Sequence, residues 1–207
     1  MAWLENNRSA PSTPASSKQV IYGNTDKYLH SINEGGIDHI QLAAVFTTNV
    51  ADFTLANSSN AQSPFEAARD VFTVAGSTTY KFELLVQITG MSTTTRTTAL
   101  EFDAGTATLT SISYLAQIAT GAAQTLTTTI TSKHCITAAA NVLNGTVTTA
   151  AATIRANGLV RINAAGTFIP QIKFSADPTG TIISEQDSYF LMTPLGTNTV
   201  GSVGSLA

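Results

Sequence analysis

The residues able to do acid–base, nucleophilic or metal chemistry are few and scattered. The 207-residue chain carries three histidines (His30, His39 and His134), one cysteine (Cys135) and 13 acidic residues. Nucleophilic catalysis needs a Ser or Cys within reach of a base that a third group orients. Cys135 directly follows His134, but neighbours in sequence are rarely the pair that meets in a fold. No Gly-x-Ser-x-Gly elbow occurs; Gly201-Ser-Val-Gly-Ser205 misses it and lies in an expected tail. Neither a phosphate-binding loop nor a dinucleotide glycine pattern is present. Glycoside hydrolysis would need two acids across a cleft, whereas Glu83, Glu101 and Asp103 fall where exposed strand faces are expected. His30 and His39 flank a hairpin beside Asp38 and could face each other. Together they would gather enough ligands for a metal only if a three-fold axis supplied three copies. Solvated loop histidines are the simpler reading. The expectation is a chain with no catalytic residue, no metal and no cofactor: a binding or structural protein, not an enzyme.

Composition points the same way. Charged residues make up 11% of the chain, well under the ~25% of ordinary globular domains. Threonine supplies about one residue in six, and its β-branch favours a pleated surface over a helix. With 43% hydrophobic residues, the chain can bury one substantial core. Net charge is −3 and the ten Lys and Arg are dispersed, so no footprint for nucleic acid is present. No apolar run approaches the ~20 residues that span a bilayer, and the first residues lack the apolar segment of a secretory signal. Nucleic acid and membrane are therefore not expected partners. A single cysteine leaves no intramolecular disulfide and fits synthesis in a reducing cytoplasm.

The elements that would position any site read as strands. Residues 1–17 hold Pro11, Pro14 and a Ser/Ala run, and are expected as an extended arm. Trp3 and Leu4 would gain burial only on a partner surface, so Trp3, Leu4, Pro11 and Pro14 are the candidate partner-binding residues. Residues 18–43 read as a small β module: strands at Val20–Tyr22, Tyr28–Ile32 and Ile40–Leu42, with turns at Asn24–Asp26 and Glu34–Gly36. Residues 44–196 read as one antiparallel β-domain, and 197–207 as a tail. Within the domain, Tyr80, Phe82, Leu84, Val86 and Ile88 alternate with Lys81, Glu83, Gln87 and Thr89, the strongest strand signal in the chain. Leu85 breaks the polar set, and Leu115 does so in a later strand. Each is either an ordinary surface leucine or the sign of a strand whose second face is buried against another subunit. Further strands are expected at Ala99–Phe102, Ile112–Ile118, Leu126–Ile130, Gly145–Arg155, Gly158–Ile162, Phe168–Phe174, Thr181–Ser184 and Ser188–Thr193, with a helical turn an open alternative at His134–Val142. Phe168, Ile172 and Phe174 should point inward, and Pro170 should mark an edge or a strand start. Turn signals every ~8–12 residues without helical period indicate a sandwich or barrel.

Two stretches carry a family resemblance. Gly166-Thr-Phe168, then Pro170, the strand to Ser175 and the Ser188-Tyr-Phe190 strand ending near Gly196 resemble the closing strands of trimeric TNF/C1q-like jelly rolls in tailed-bacteriophage structural proteins. Pro14 to Tyr22, then Asp26-Lys-Tyr28-Leu and Gly36, resemble a short β module near the start of phage fibres and spikes. Ser17 stands where that module often has Gly, and Lys27-Tyr28 replaces its Gly-Lys pair. The resemblance implies an all-β jelly-roll sandwich behind an extended arm and a small β-hairpin module. It implies a homotrimer in the virion, made in the host cytoplasm, that decorates the capsid as a cement or head-fibre protein and contacts the major capsid protein. The alternative it carries is a tail-fibre or receptor-binding tip that recognises a host surface receptor.

Overall fold

The computed structural model describes residues 44–103, 105–121, 130–138, 141–147 and 149–199, together with the backbone of three short strands at 20–23, 29–32 and 38–41. Trp3, Leu4, Pro11 and Pro14, the expected turns at Asn24–Asp26 and Glu34–Gly36, and residues 200–207 of the tail lie outside the described residues. The chain divides into two compact units, Met1–Ala44 and Val45–Ala207.

In the first unit, β1 (Val20–Gly23), β2 (Leu29–Ile32) and β3 (Asp38–Gln41) form an antiparallel meander. Its register pairs His30 with Ile40 and His39 with Ser31, so the two histidines are not cross-strand partners.

The second unit is all-β among its described residues, with every paired strand antiparallel. Its strands are β4 (Val45–Thr48), β5 (Phe53–Thr54), β6 (Phe72–Val74), β7 (Thr78–Met91), β8 (Arg96–Asp103), β9 (Thr108–Gly121), β10 (Thr131–Cys135), β11 (Asn141–Val147), β12 (Ala151–Ala164), β13 (Gly166–Phe174), β14 (Gly180–Ser184) and β15 (Tyr189–Thr197). One large sheet runs β10-β9-β12-β7. The far edge of β7 is then shared: β15 and behind it β4 cover its first half, and β14 with β5 its end. A smaller sheet has the order β11-β8-β13-β6.

Strand alternation builds the core between the sheets. β7 buries Tyr80, Phe82, Leu84, Val86 and Ile88 and turns Lys81 outward. From the large sheet come Phe82, Tyr114 and Phe190; from the small sheet, Phe72, Phe102 and Phe168. Ring centroids of Phe82 and Phe102 lie 5.0 Å apart, Phe102 and Tyr114 5.2 Å, and Phe72 and Phe190 4.7 Å, all edge-on. Edge-to-face pairs at such distances add stabilisation beyond the buried area. Phe168, Ile172 and Phe174 point into this core, with Gln171 partly exposed and Lys173 exposed.

Pro170 sits in a strand with partners on both sides, at a place where one ladder pauses. β6 pairs only with Gly166–Phe168, and the next partner on that side is Gln62, which exchanges both backbone hydrogen bonds with Ile172. Pro170 therefore occupies the one gap where a missing N–H costs nothing.

Three expectations need correction. The helical turn open at His134–Val142 does not appear among the described residues of that stretch: β10 runs through Cys135 and β11 begins at Asn141. Gly145–Arg155 is not one strand, because β11 ends at Val147 and β12 starts at Ala151. Gly158, read as the start of a separate strand, lies in the middle of the 14-residue β12. It sits opposite Tyr114 and Phe82, and a Cβ there would lie 2.3 Å from both the Ser113 carbonyl and the Tyr114 Cβ. The glycine makes room for an aromatic ring in the adjacent strand and does not break its own. Of the expected Leu126–Ile130 strand, residues 126–129 lie outside the described residues.

Candidate functional site

Two buried polar clusters lie inside the second unit, and each is consumed by the fold. Arg96 opens β8 and is 2% exposed. Its Nη1 donates to the carbonyls of Ser92 (2.9 Å) and Thr94 (2.7 Å), and its Nη2 to the Thr149 carbonyl and the Met91 sulfur, both at 3.0 Å. Its guanidinium carbon lies 5.8 Å from the centre of the Phe174 ring. The fork of donors ties two loops to one sheet end, using geometry lysine lacks. Burial lowers the Arg96 pKa. The folded state therefore holds that proton less tightly than the unfolded chain, and stability gains from it only in the strongly alkaline range. In the second cluster, Asn49 Nδ2 donates to the Pro64 carbonyl (3.1 Å) and to Ser184 Oγ (3.0 Å), while the Gln87 N–H donates to Ser188 Oγ (3.1 Å). Asn49, Ser184 and Ser188 are all buried. These side chains clamp the segment after β4 against the β14–β15 turn and offer no base to activate either serine.

Sequence reasoning missed one pair with reactive potential. Ser113 Oγ and His134 Nε2 lie 3.1 Å apart, because the β9–β10 register sets Leu115 opposite His134. A Ser–His pair becomes a nucleophile only when the imidazole is oriented and donors await an oxyanion. No described carboxylate bonds His134, and the pair stands exposed where backbone amides are engaged in the sheet. Among the described residues, no group of three or more His, Cys, Asp and Glu is placed to hold a metal. Nor is any helix there long and apolar enough to cross a membrane.

The feature left over is the outer face of the large sheet. Register and alternation lay its side chains in rows across six strands, β4-β15-β7-β12-β9-β10. One row reads Thr48, Tyr189, Leu85, Arg155, Gln117, Ser132; the next reads Phe46, Leu191, Glu83, Asn157, Leu115, His134. Thr193, Lys81, Leu159 and Ser113 continue the pattern. Phe46 is 58% exposed, Leu159 41% and Leu115 39%. Phe46 stacks on Tyr189 with ring centroids 6.0 Å apart. Beside Tyr189 the face dips into a groove of about 280 Å³ lined by Lys81, Glu83, Arg155 and Asn157. Lys81 Nζ meets Glu83 Oε1 at 2.8 Å, and Arg155 has no carboxylate partner among the described residues. Leu85 and Leu115 do break the polar pattern, and both fall on this face.

Phe46 stands at one side of this face and Leu115 and Leu159 towards the other, with Glu83, Asn157 and Arg155 between them. Exposed apolar groups on a broad face suit an interaction surface better than a reactive one. The arrangement can bind a broad surface through ring and aliphatic contacts, and Arg155 has no carboxylate partner among the described residues. The chain matches no family model, no curated protein and no solved structure.

Proposed function

We propose that the protein is a structural subunit of a bacteriophage virion, a homotrimer that decorates the capsid and stiffens it against rupture. The observation that carries this reading is the strand order. The arrangement β4-β15-β7-β12 in one sheet and β6-β13-β8-β11 in the other supports this reading, because it is compatible with the interleaving expected of an eight-stranded jelly roll. β9 and β10 extend the first sheet beyond β12, and β5 and β14 complete the end of β7. Jelly rolls serve as capsid and lectin domains, and the likeness of Gly166–Gly196 to phage trimeric knobs favours the former. A broad sheet face with exposed Phe46, Leu115 and Leu159 supports assembly among copies, and bridging neighbouring capsid subunits is mechanical work that needs no poised acid or base.

The test is the number of copies in purified particles, with the behaviour of particles lacking the protein. Hundreds of copies, and DNA loss at lower temperature or under mild osmotic shock with normal adsorption, are expected. A handful of copies per particle, with adsorption lost and robustness kept, would instead make it a receptor-binding tip.

A further inference from the structure

The groove beside Tyr189 gathers an amine, a carboxylate and a side-chain amide on two neighbouring strands. Lys81 and Glu83 lie on β7, Arg155 and Asn157 on β12, and all four line the groove. The register sets Glu83 opposite Asn157 and Lys81 opposite Leu159, so Lys81 and Asn157 are diagonal neighbours on one face. Diagonal partners stand about 7–8 Å apart, within reach of a long side chain such as lysine. Glu83 belongs to both: its Oε1 lies 2.8 Å from Lys81 Nζ, and its cross-strand partner is Asn157. An asparagine followed by glycine is ordinarily attacked by the glycine's own backbone nitrogen. Here Gly158 is paired with Tyr114 on one side and Phe82 on the other, and that pairing holds its backbone away from the Asn157 side chain. The nucleophile placed to reach the amide is Lys81.

We propose that Lys81 and Asn157 join in an isopeptide bond within one chain, with Glu83 carrying the protons, once the outer face is covered by assembly. The inference rests on the homo-oligomer reading. In the free subunit the Lys81 and Glu83 side chains are 55% and 39% exposed, and water keeps both charged. Covering the face removes that water and favours the neutral pair, so a proton passes from Nζ to Glu83. The lone pair freed on Nζ attacks Asn157 Cγ. Arg155, two residues along the same face, supplies positive charge in the groove for the oxyanion growing on Oδ1. Glu83 hands its proton to Nδ2 and takes one from Nζ as the Cγ–Nδ2 bond breaks. Ammonia leaves and carries the surplus proton away as ammonium, which restores the Glu83 carboxylate. One C–N bond replaces another, with no oxidant, reductant or cofactor. The product ties β7 to β12 across the middle of the large sheet.

The experiment is intact-mass measurement, under denaturing conditions, of the 207-residue chain taken from the oligomer and monomer fractions of a concentration series. Chains from the oligomer are expected to be lighter than the sequence mass by one ammonia, and chains from the monomer to carry the full mass. Digestion of the oligomer should release a branched peptide that joins Lys81 to Asn157. Lys81→Arg keeps the charge and should assemble with its full mass. Glu83→Gln keeps both reacting groups and should slow the ammonia loss by about 100-fold or more. Denaturant melts of both variants establish that the subunit is intact. A succinimide formed through Gly158 would lose the same ammonia, so a loss that persists in Lys81→Arg overturns the cross-link. An oligomer at full sequence mass also overturns it and leaves the homo-oligomer reading standing. A wild type that is monomeric at every concentration and carries its full mass removes that reading, and this inference with it.

Discussion

The same strands carry two faces that differ in kind. On the inner side of β7, β12 and β15, Phe82, Ala156 and Phe190 are fully buried against the small sheet. On the outer side, one residue along, Glu83, Arg155 and Leu191 meet no second sheet among the described residues of the same unit. The inner face is a packing problem already solved within the chain, with rings at 4.7–5.2 Å. The outer face leaves apolar groups exposed and Arg155 without a carboxylate partner among the described residues. Stability should therefore follow the inner face and association the outer one.

The largest effect should come from emptying the inner face. Phe102 touches Phe82, Tyr114, Phe168 and Phe190. Phe102→Ala is expected to cost roughly 3–5 kcal/mol, as is Phe174→Ala, measured by denaturant unfolding. A loss below about 1 kcal/mol would mean the two sheets are not packed through these rings. Arg96→Met keeps the bulk but leaves the Ser92, Thr94 and Thr149 carbonyls without their donor. Each such orphan costs about 1–3 kcal/mol, offset in part because a buried cation is also removed. A net loss of about 2 kcal/mol is expected, and a variant more stable than wild type would show that burying this charge outweighs its bonds.

Gly158→Ala sharpens the comparison, since it adds one methyl on the inner side where Tyr114 already stands. Its Cβ would fall 2.6 Å from the Tyr114 Cα, so backbone must shift. The expected cost is about 1–3 kcal/mol. A neutral result would place the β9–β12 pair further apart than 2.6 Å implies.

How much of this was legible in the sequence follows the same division. Alternation over Tyr80–Thr89 and the inward set Phe168, Ile172 and Phe174 could be read directly, because a strand's period of two is imposed by its own backbone. Gly158 was misread because a mid-strand glycine and a turn glycine look alike until the neighbouring strand is known. The short strands β4, β5, β6 and β10 were not distinguished, having too few residues to show a period. Leu85 and Leu115 could be read as breaks in the polar pattern, and both fall on the outer face. The rows that join them to Phe46, Tyr189 and Arg155 depend on long-range register, which no local pattern encodes. The Ser113–His134 contact was invisible for the same reason.

The smallest effect on stability should come from the outer face. Phe46→Ser and Leu115→Ser remove exposed groups and should change subunit unfolding by less than about 0.5 kcal/mol. Lys81→Ala, which breaks an exposed ion pair, should cost at most ~1 kcal/mol. If Phe46→Ser unfolds the subunit as readily as Phe102→Ala, the two faces are not distinct in role.

The most direct measurement is the mass of the purified 207-residue chain in solution at micromolar concentration, by light scattering coupled to size exclusion. A trimer of three 21.6 kDa chains, about 65 kDa, is predicted, and Phe46→Ser should shift it toward monomer. A wild-type mass of 21.6 kDa at every concentration would contradict the account, because the outer face would then be a solvated surface and not one side of an interface.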